Sequence, residues 1–196
     1  SEAYTIDPLA LKAHGHVLTF GLGIGYFIYM ALENKKVESI TVVENNKAVI
    51  DLFKEHILPQ FKSAHQIKII EADAFDYYSK ENLSDFDYVF VDVHQSNDDG
   101  LIVMDNMLSK YVPALDKIDF WIEDSILEIL IGLVFFYFNA LAYGKAHHHD
   151  DPYFNHFLQK IAIYFNGIDE EVTHNNRLKH YLYDRQTLRA ILSVSL

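Results

Sequence analysis

Three glycines at alternate positions, Gly21, Gly23 and Gly25, and three acids further along the chain, Glu44, Asp73 and Asp92, are the residues best suited to hold a small polar molecule. Glycine reaches positive φ at little cost and lets a ligand lie against the backbone. A helix starting just after such a turn adds N–H groups and the positive end of its dipole. A carboxylate at Glu44 can accept from both hydroxyls of a ribose, because two adjacent O–H donors match two carboxylate oxygens. Asp73 can accept from the exocyclic amino group of a base. Asp92 and His94 share one short stretch, and an imidazole that titrates near neutrality can take a proton from an attacking group. Each also has a plainer use: an acid closing a strand, Asp73 as a helix cap, and a solvated loop histidine.

Spacing narrows the ligand. A dinucleotide turn needs its third glycine three residues after the second, to bring helix and strand together around a pyrophosphate, and Tyr26 stands there. A phosphate-cradling loop ending in Gly-Lys-Ser/Thr occurs nowhere in the chain. Both phosphate readings weaken.

The elements that must position these residues are legible as alternating strands and helices. An apolar run at 17–20 leads into the glycines, and a helix from Tyr26 buries Phe27, Ile28, Met30, Ala31 and Leu32. A β-branched run at 39–44 ends in Glu44. Asn45 or Asn46 caps the next helix, whose face carries Val49, Ile50, Leu52, Phe53, Ile57 and Leu58, with Pro59 as its stop. A third strand at 67–70 precedes Asp73, with a short helix at 74–79. A fourth at 87–92 ends in Asp92, a polar loop follows at 93–100, a helix at about 100–111, and a fifth strand at 118–122. Acids at or just past the ends of strands two, three and four lie on one rim, where ligands bind in open parallel sheets. The expectation is an α/β fold: a Rossmann-like, doubly wound, mainly parallel sheet of about five to seven strands with a helical C-terminal part.

The Gly-x-Gly-x-Gly turn after an apolar strand resembles motif I of the class I S-adenosylmethionine-dependent methyltransferases. Glu44 after strand two, Asp73-Ala74 after strand three and Asp92 after strand four extend the match. The branch it resembles most in these motifs is that of the spermidine synthases. The resemblance implies S-adenosylmethionine as cofactor, held by Gly21, Leu22, Gly23, Gly25, Glu44, Asn45, Asp73, Ala74 and Asp92, with Asp92 and His94 as catalytic residues. It also implies methyl transfer to a small-molecule or protein acceptor. Two alternatives accompany it: aminopropyl transfer, and a catalytically silent cofactor-binding protein. Spermidine synthases carry a second acid in the loop after strand four. This chain has Asp92-Val93-His94-Gln95-Ser96, with Gln95 in that acid's place, and glutamine cannot accept a proton from an amine. Catechol-type relatives hold a divalent cation with acids after strands four and five. Asp92 and Asp124 would stand there, with Ser125 where asparagine is usual and no third ligand evident, so no metal is assigned.

The chain has 196 residues, half of them apolar or aromatic, and a net charge of −12. That size and composition suit a buried core, and the charge repels polyanions, so a small-molecule partner is expected and nucleic acid is not. The absence of cysteine excludes disulfide and thiolate chemistry. The chain opens on Ser1 without a basic and apolar leader, so a cytoplasmic protein is expected, with a preceding N-terminal domain left open. The expected organisation is a lead-in segment at 1–15, the cofactor-binding core at 16–124, and a helical extension at 125–196 packed on the same domain.

Within that extension, 126–143 is strongly apolar, but Glu128 and Asn139 bracket only ten residues, against about 20 for a bilayer span. A buried helix is expected and no membrane role. Aromatic helices here also offer a surface for homo-oligomers. Asp151, Pro152 and Gly167 mark the start and end of the next helix, and Leu178, Leu182, Leu188, Ile191 and Leu192 a final helical segment. Arg177, Lys179, Arg185 and Arg189 read as a solvated basic face pairing with acids elsewhere, and His147-His148-His149 as an exposed loop.

Overall fold

The computed structural model describes residues 2–93, 97–145, 149–168 and 175–196. It divides into two compact units. The first comprises Ser1–Ser96 with Pro113–Ile122, and the second Asn97–Val112 with Glu123–Leu196.

The first unit is a Rossmann-like α/β fold. Its strands are β1 (Gly15–Phe20), β2 (Val37–Glu44), β3 (Ile67–Glu71), β4 (Tyr88–Val91) and β5 (Ile118–Phe120), all parallel in the order β3-β2-β1-β4-β5. The order reverses between β1 and β4, so a crevice opens at the carboxyl ends of those two strands. Helix α1 (Glu2–Lys12) precedes β1, α2 (Tyr26–Glu33) joins β1 to β2, and α3 (Lys47–Leu52) follows β2. Short helices α4 (Ala74–Tyr77) and α5 (Lys80–Leu83) follow β3. Alternation along β1 divides the core: Val17 packs with Ile40, Val42, Tyr88 and Phe90 beneath α1 and α2, where Phe27 stacks on Phe90 at 4.0 Å between ring centres. Phe20, on the opposite pleat, meets Tyr77 and Tyr78 at the end of α4.

The second unit is helical. It contains α6 (Asn97–Lys110), α7 (Glu123–Ala142), α8 (Pro152–Asn166), α9 (Asn175–Leu182) and α10 (Arg185–Leu192). Lys160 of α8 is buried and donates to Asp105 and Ser109 of α6 and to the Leu192 carbonyl at the end of α10. Arg189 of α10 meets Glu123 at the start of α7 through two parallel bonds, Nε to Oε1 at 2.7 Å and Nη2 to Oε2 at 2.8 Å, with both residues buried.

Several expectations are corrected. Residues 1–15 hold a helix, α1, despite Pro8 in its middle; Ile6, Ala10 and Ala13 bury its inner face. The helix after β2 does not stop at Pro59. It widens into a π-helix over Phe53–Ile57 and ends in a 3₁₀ turn at Leu58–Gln60, where proline is tolerated because it takes an N-terminal position. The helix expected at 74–79 ends at Tyr77, because Ser79 caps α5 through its hydroxyl. Helix α6, expected in the Rossmann-like core, groups with the C-terminal helices. The final segment is two helices, restarted where Asp184 caps α10.

Arg189 is not on a solvated face; it is buried against Glu123, while Arg185 pairs with Asp124 on the surface. Helix α7 runs unbroken through Glu128 for 20 residues, and an 18-residue stretch of it has a mean hydropathy of 2.0. Among the described residues it is the one helix long and apolar enough to cross a membrane, and 33% of its apolar window is buried. The argument from a ten-residue apolar stretch therefore does not hold. A glycine at positive φ, Gly144, closes it: the Gly144 and Lys145 N–H groups return to the Leu141 and Ala140 carbonyls.

Candidate ligand site

The parallel register brings the strand ends level. Phe20 is opposite Val43 and Val91, and Glu44 is opposite Glu71. The ladder then runs one residue past each strand: Gly21 N–H donates to the Val43 carbonyl, Ala72 N–H to that of Glu44, and Asp92 N–H to that of Phe20. Gly21, Glu44, Asp73 and Asp92 are thereby fixed on one edge, around a cavity of about 480 Å³.

The glycine turn is built as its residue types require. Gly21 has φ 93°, and a Cβ there would lie 2.0 Å from the Asp92 carbonyl oxygen, so neither the conformation nor the contact admits a side chain. Gly23 has φ 50° and faces open space; the nearest atom to an added Cβ would be Asp92 Oδ2, at 3.7 Å. Leu22 and Gly25 do not line the cavity. The Leu22 side chain is buried, and its N–H donates to Glu44 Oε2 at 3.1 Å. Gly25 lets α2 approach Phe53, whose ring would be 2.8 Å from a Cβ.

Glu44 is held at both oxygens, Oε2 by Leu22 N–H and Oε1 by Asn46 N–H at 2.8 Å. Each carboxylate oxygen has two lone pairs, so a fixed carboxylate still has one acceptor site per oxygen. Asp73 is a helix cap and a cavity residue at once: its Oδ1 accepts from the Phe75 and Asp76 N–H groups, while the side chain lines the cavity. Asn46 is the cap of α3, accepting from Ala48 and Val49, and it lines the cavity beside Asn45. His94 lies outside the described residues. Of the two acids considered for a metal, Asp92 lines the cavity and Asp124 pairs with Arg185. No group of three potential metal ligands occurs among the described residues.

Sequence reasoning missed the apolar walls. With Ala74, which lines the cavity as expected, Val43, Val49, Ala72, Phe75 and Val93 complete the lining, giving a flat ligand apolar surface between the carboxylates. Phe75 follows Asp73-Ala74 directly, and Val49 falls on the first turn of the helix Asn46 caps; those positions were the available clue. Among the described residues the lining carries Glu44, Asp73 and Asp92 and no lysine, arginine or histidine.

Fold and site together define a Rossmann-like domain with an acid-lined crevice at its topological switch point. The chain matches no family model and no curated protein.

Proposed function

We propose that this chain binds S-adenosylmethionine and transfers its methyl group to an acceptor. The observation that carries this reading is a 480 Å³ cavity holding a glycine turn and three carboxylates, with no cationic side chain among the described residues of its lining. Such a site favours a ligand rich in donors and free of phosphate. A pyrophosphate at this turn would lie against Asp92 and lose more by charge repulsion than backbone N–H groups return. A nucleoside with a cationic tail meets the requirement: ribose hydroxyls to Glu44, an adenine amino group to Asp73, and a sulfonium near Asp92.

The chemistry asks little of the protein beyond alignment. The sulfonium is an activated donor, so the enzyme's part is to hold nucleophile, methyl carbon and sulfur in line and to accept a proton where the nucleophile carries one. Asp92 at the crevice, with His94 two residues on, is the proposed acceptor of that proton. Aminopropyl transfer is the second reading, favoured by the same lack of a cation, since the decarboxylated donor has no carboxylate to neutralise.

Calorimetric titration with S-adenosylmethionine and with its decarboxylated form tests both readings. Micromolar binding lost in Glu44→Ala is the expected result, and preference between the donors decides the transfer. If neither binds, the glycine turn is structural and the proposal fails.

A further inference from the structure

We infer that the first half of α1 is a lid that must lift for the tail of the ligand to enter. The inference rests on the S-adenosylmethionine reading for what enters, but not for the latch itself. The large cavity reaches the glycine turn from the β2 side. Beyond the turn, toward β4 and α1, a second void shares Gly21, Gly23 and Asp92 with it and is lined also by Ile6, Tyr26 and Phe90. That void measures about 10 Å³, the room of at most one water molecule. A 5′ substituent that continues past the glycine turn, from a nucleoside seated on Glu44 and Asp73, would enter it. No tail of several heavy atoms fits that void while Ile6 is in place.

The helix is constructed to open there and to stay put elsewhere. Pro8, midway along α1, has no N–H to give the carbonyl of Tyr4, and its ring crowds that carbonyl, so the helix is weakest between its halves. Past Pro8 the helix is anchored. Lys12 pairs with Asp119, which also accepts from the Tyr88 hydroxyl, and the Asn34 side-chain amide donates to the Ala10, Leu11 and Ala13 carbonyls. Before Pro8 the helix is held by buried Ile6 and by side-chain hydrogen bonds. Tyr26 donates its hydroxyl to Asp7 at 2.7 Å, and Trp121 donates its indole N–H to Thr5 at 2.8 Å. Tyr26 occupies the place where a dinucleotide turn has its third glycine, so the residue that departs from that pattern is the one that latches the lid.

Trp121 is the sole tryptophan and reports on the lid directly. Acrylamide quenching of its emission should be unchanged by adenosine and rise at least twofold with S-adenosylmethionine. In the absence of ligand, Tyr26→Phe and Asp7→Ala should each raise quenching, with far-ultraviolet circular dichroism confirming that both fold. S-adenosylmethionine that binds calorimetrically but leaves quenching at the adenosine level overturns the lid. If S-adenosylmethionine does not bind at all, the functional reading fails, and the ligand-free variants alone decide the latch: quenching equal to wild type in the folded variants overturns it.

Discussion

Gly21 and Gly23 have the same residue type, both with positive φ, yet they should respond differently to a methyl group. At Gly21 the added Cβ would press on the Asp92 carbonyl, so Gly21→Ala must move the end of β4 as well as strain the turn, and a loss of at least about 2 kcal/mol in urea denaturation is expected. At Gly23 no atom lies closer than 3.7 Å, and Gly23→Ala should cost only about 1 kcal/mol of left-handed strain. Its effect should appear instead in calorimetry, because the methyl group occupies space the ligand needs. Equal destabilisation by the two substitutions would contradict this assignment.

Two tyrosines set an alkaline limit. Burial, aided by the nearby Asp85 charge, raises Tyr77 above the ordinary phenol value, and burial alone raises Tyr137. Their folded-state values exceed the unfolded ones, so the unfolded chain releases these protons first and stability falls as pH rises through about 10. Denaturation midpoints measured between pH 8 and 11 should decline less steeply in Tyr77→Phe and Tyr137→Phe.

Helices α7 and α10 are joined through one buried ion pair, and its removal should be among the most damaging single changes in the helical unit. Arg189→Met leaves Glu123 buried without its bidentate partner and with the Arg185 guanidinium 3.6 Å away as its remaining cation, an expected cost of about 3 kcal/mol by chemical denaturation. Replacing Glu123 by leucine in the same chain should recover much of it, since the penalty is that of a buried charge stripped of its hydrogen-bonded partner. The pair also marks where sequence reading stopped. Strands β1 to β4, the Asn46, Asp73 and Asp151 caps and the rim of Glu44, Asp73 and Asp92 were legible because β-branched runs and cap residues act over a few neighbours. Arg189 and Glu123 are 66 positions apart, and nothing local tells a buried arginine from a solvated one. For the same reason Pro8 concealed α1: the buried face of Ile6, Ala10 and Ala13 outweighs the lost hydrogen bond, but only once β1 and α2 are there to receive it. Val49 reads only as part of a helix face and Phe75 has no reading at all, because an apolar pattern places a residue on an element without saying that it walls a cavity.

The acidity of the whole molecule and that of the crevice act in the same direction. With a net charge of −12 and three carboxylates around the cavity, each phosphate added to a nucleoside should weaken binding, by roughly tenfold for the first at low salt, and less as salt screens the field. Competition between adenosine and adenosine diphosphate for a bound nucleoside would measure it, and tighter binding of the diphosphate would overturn the phosphate-free assignment.

The two units are interleaved along the chain, with the segment carrying β5 flanked on both sides by parts of the helical unit. During synthesis, β1 to β4 emerge by residue 91, whereas Asp119 follows only after α6. The clamp that Asp119 makes on Lys12 and Tyr88 therefore closes late, after the Asn34 amide is already in place to hold the end of α1.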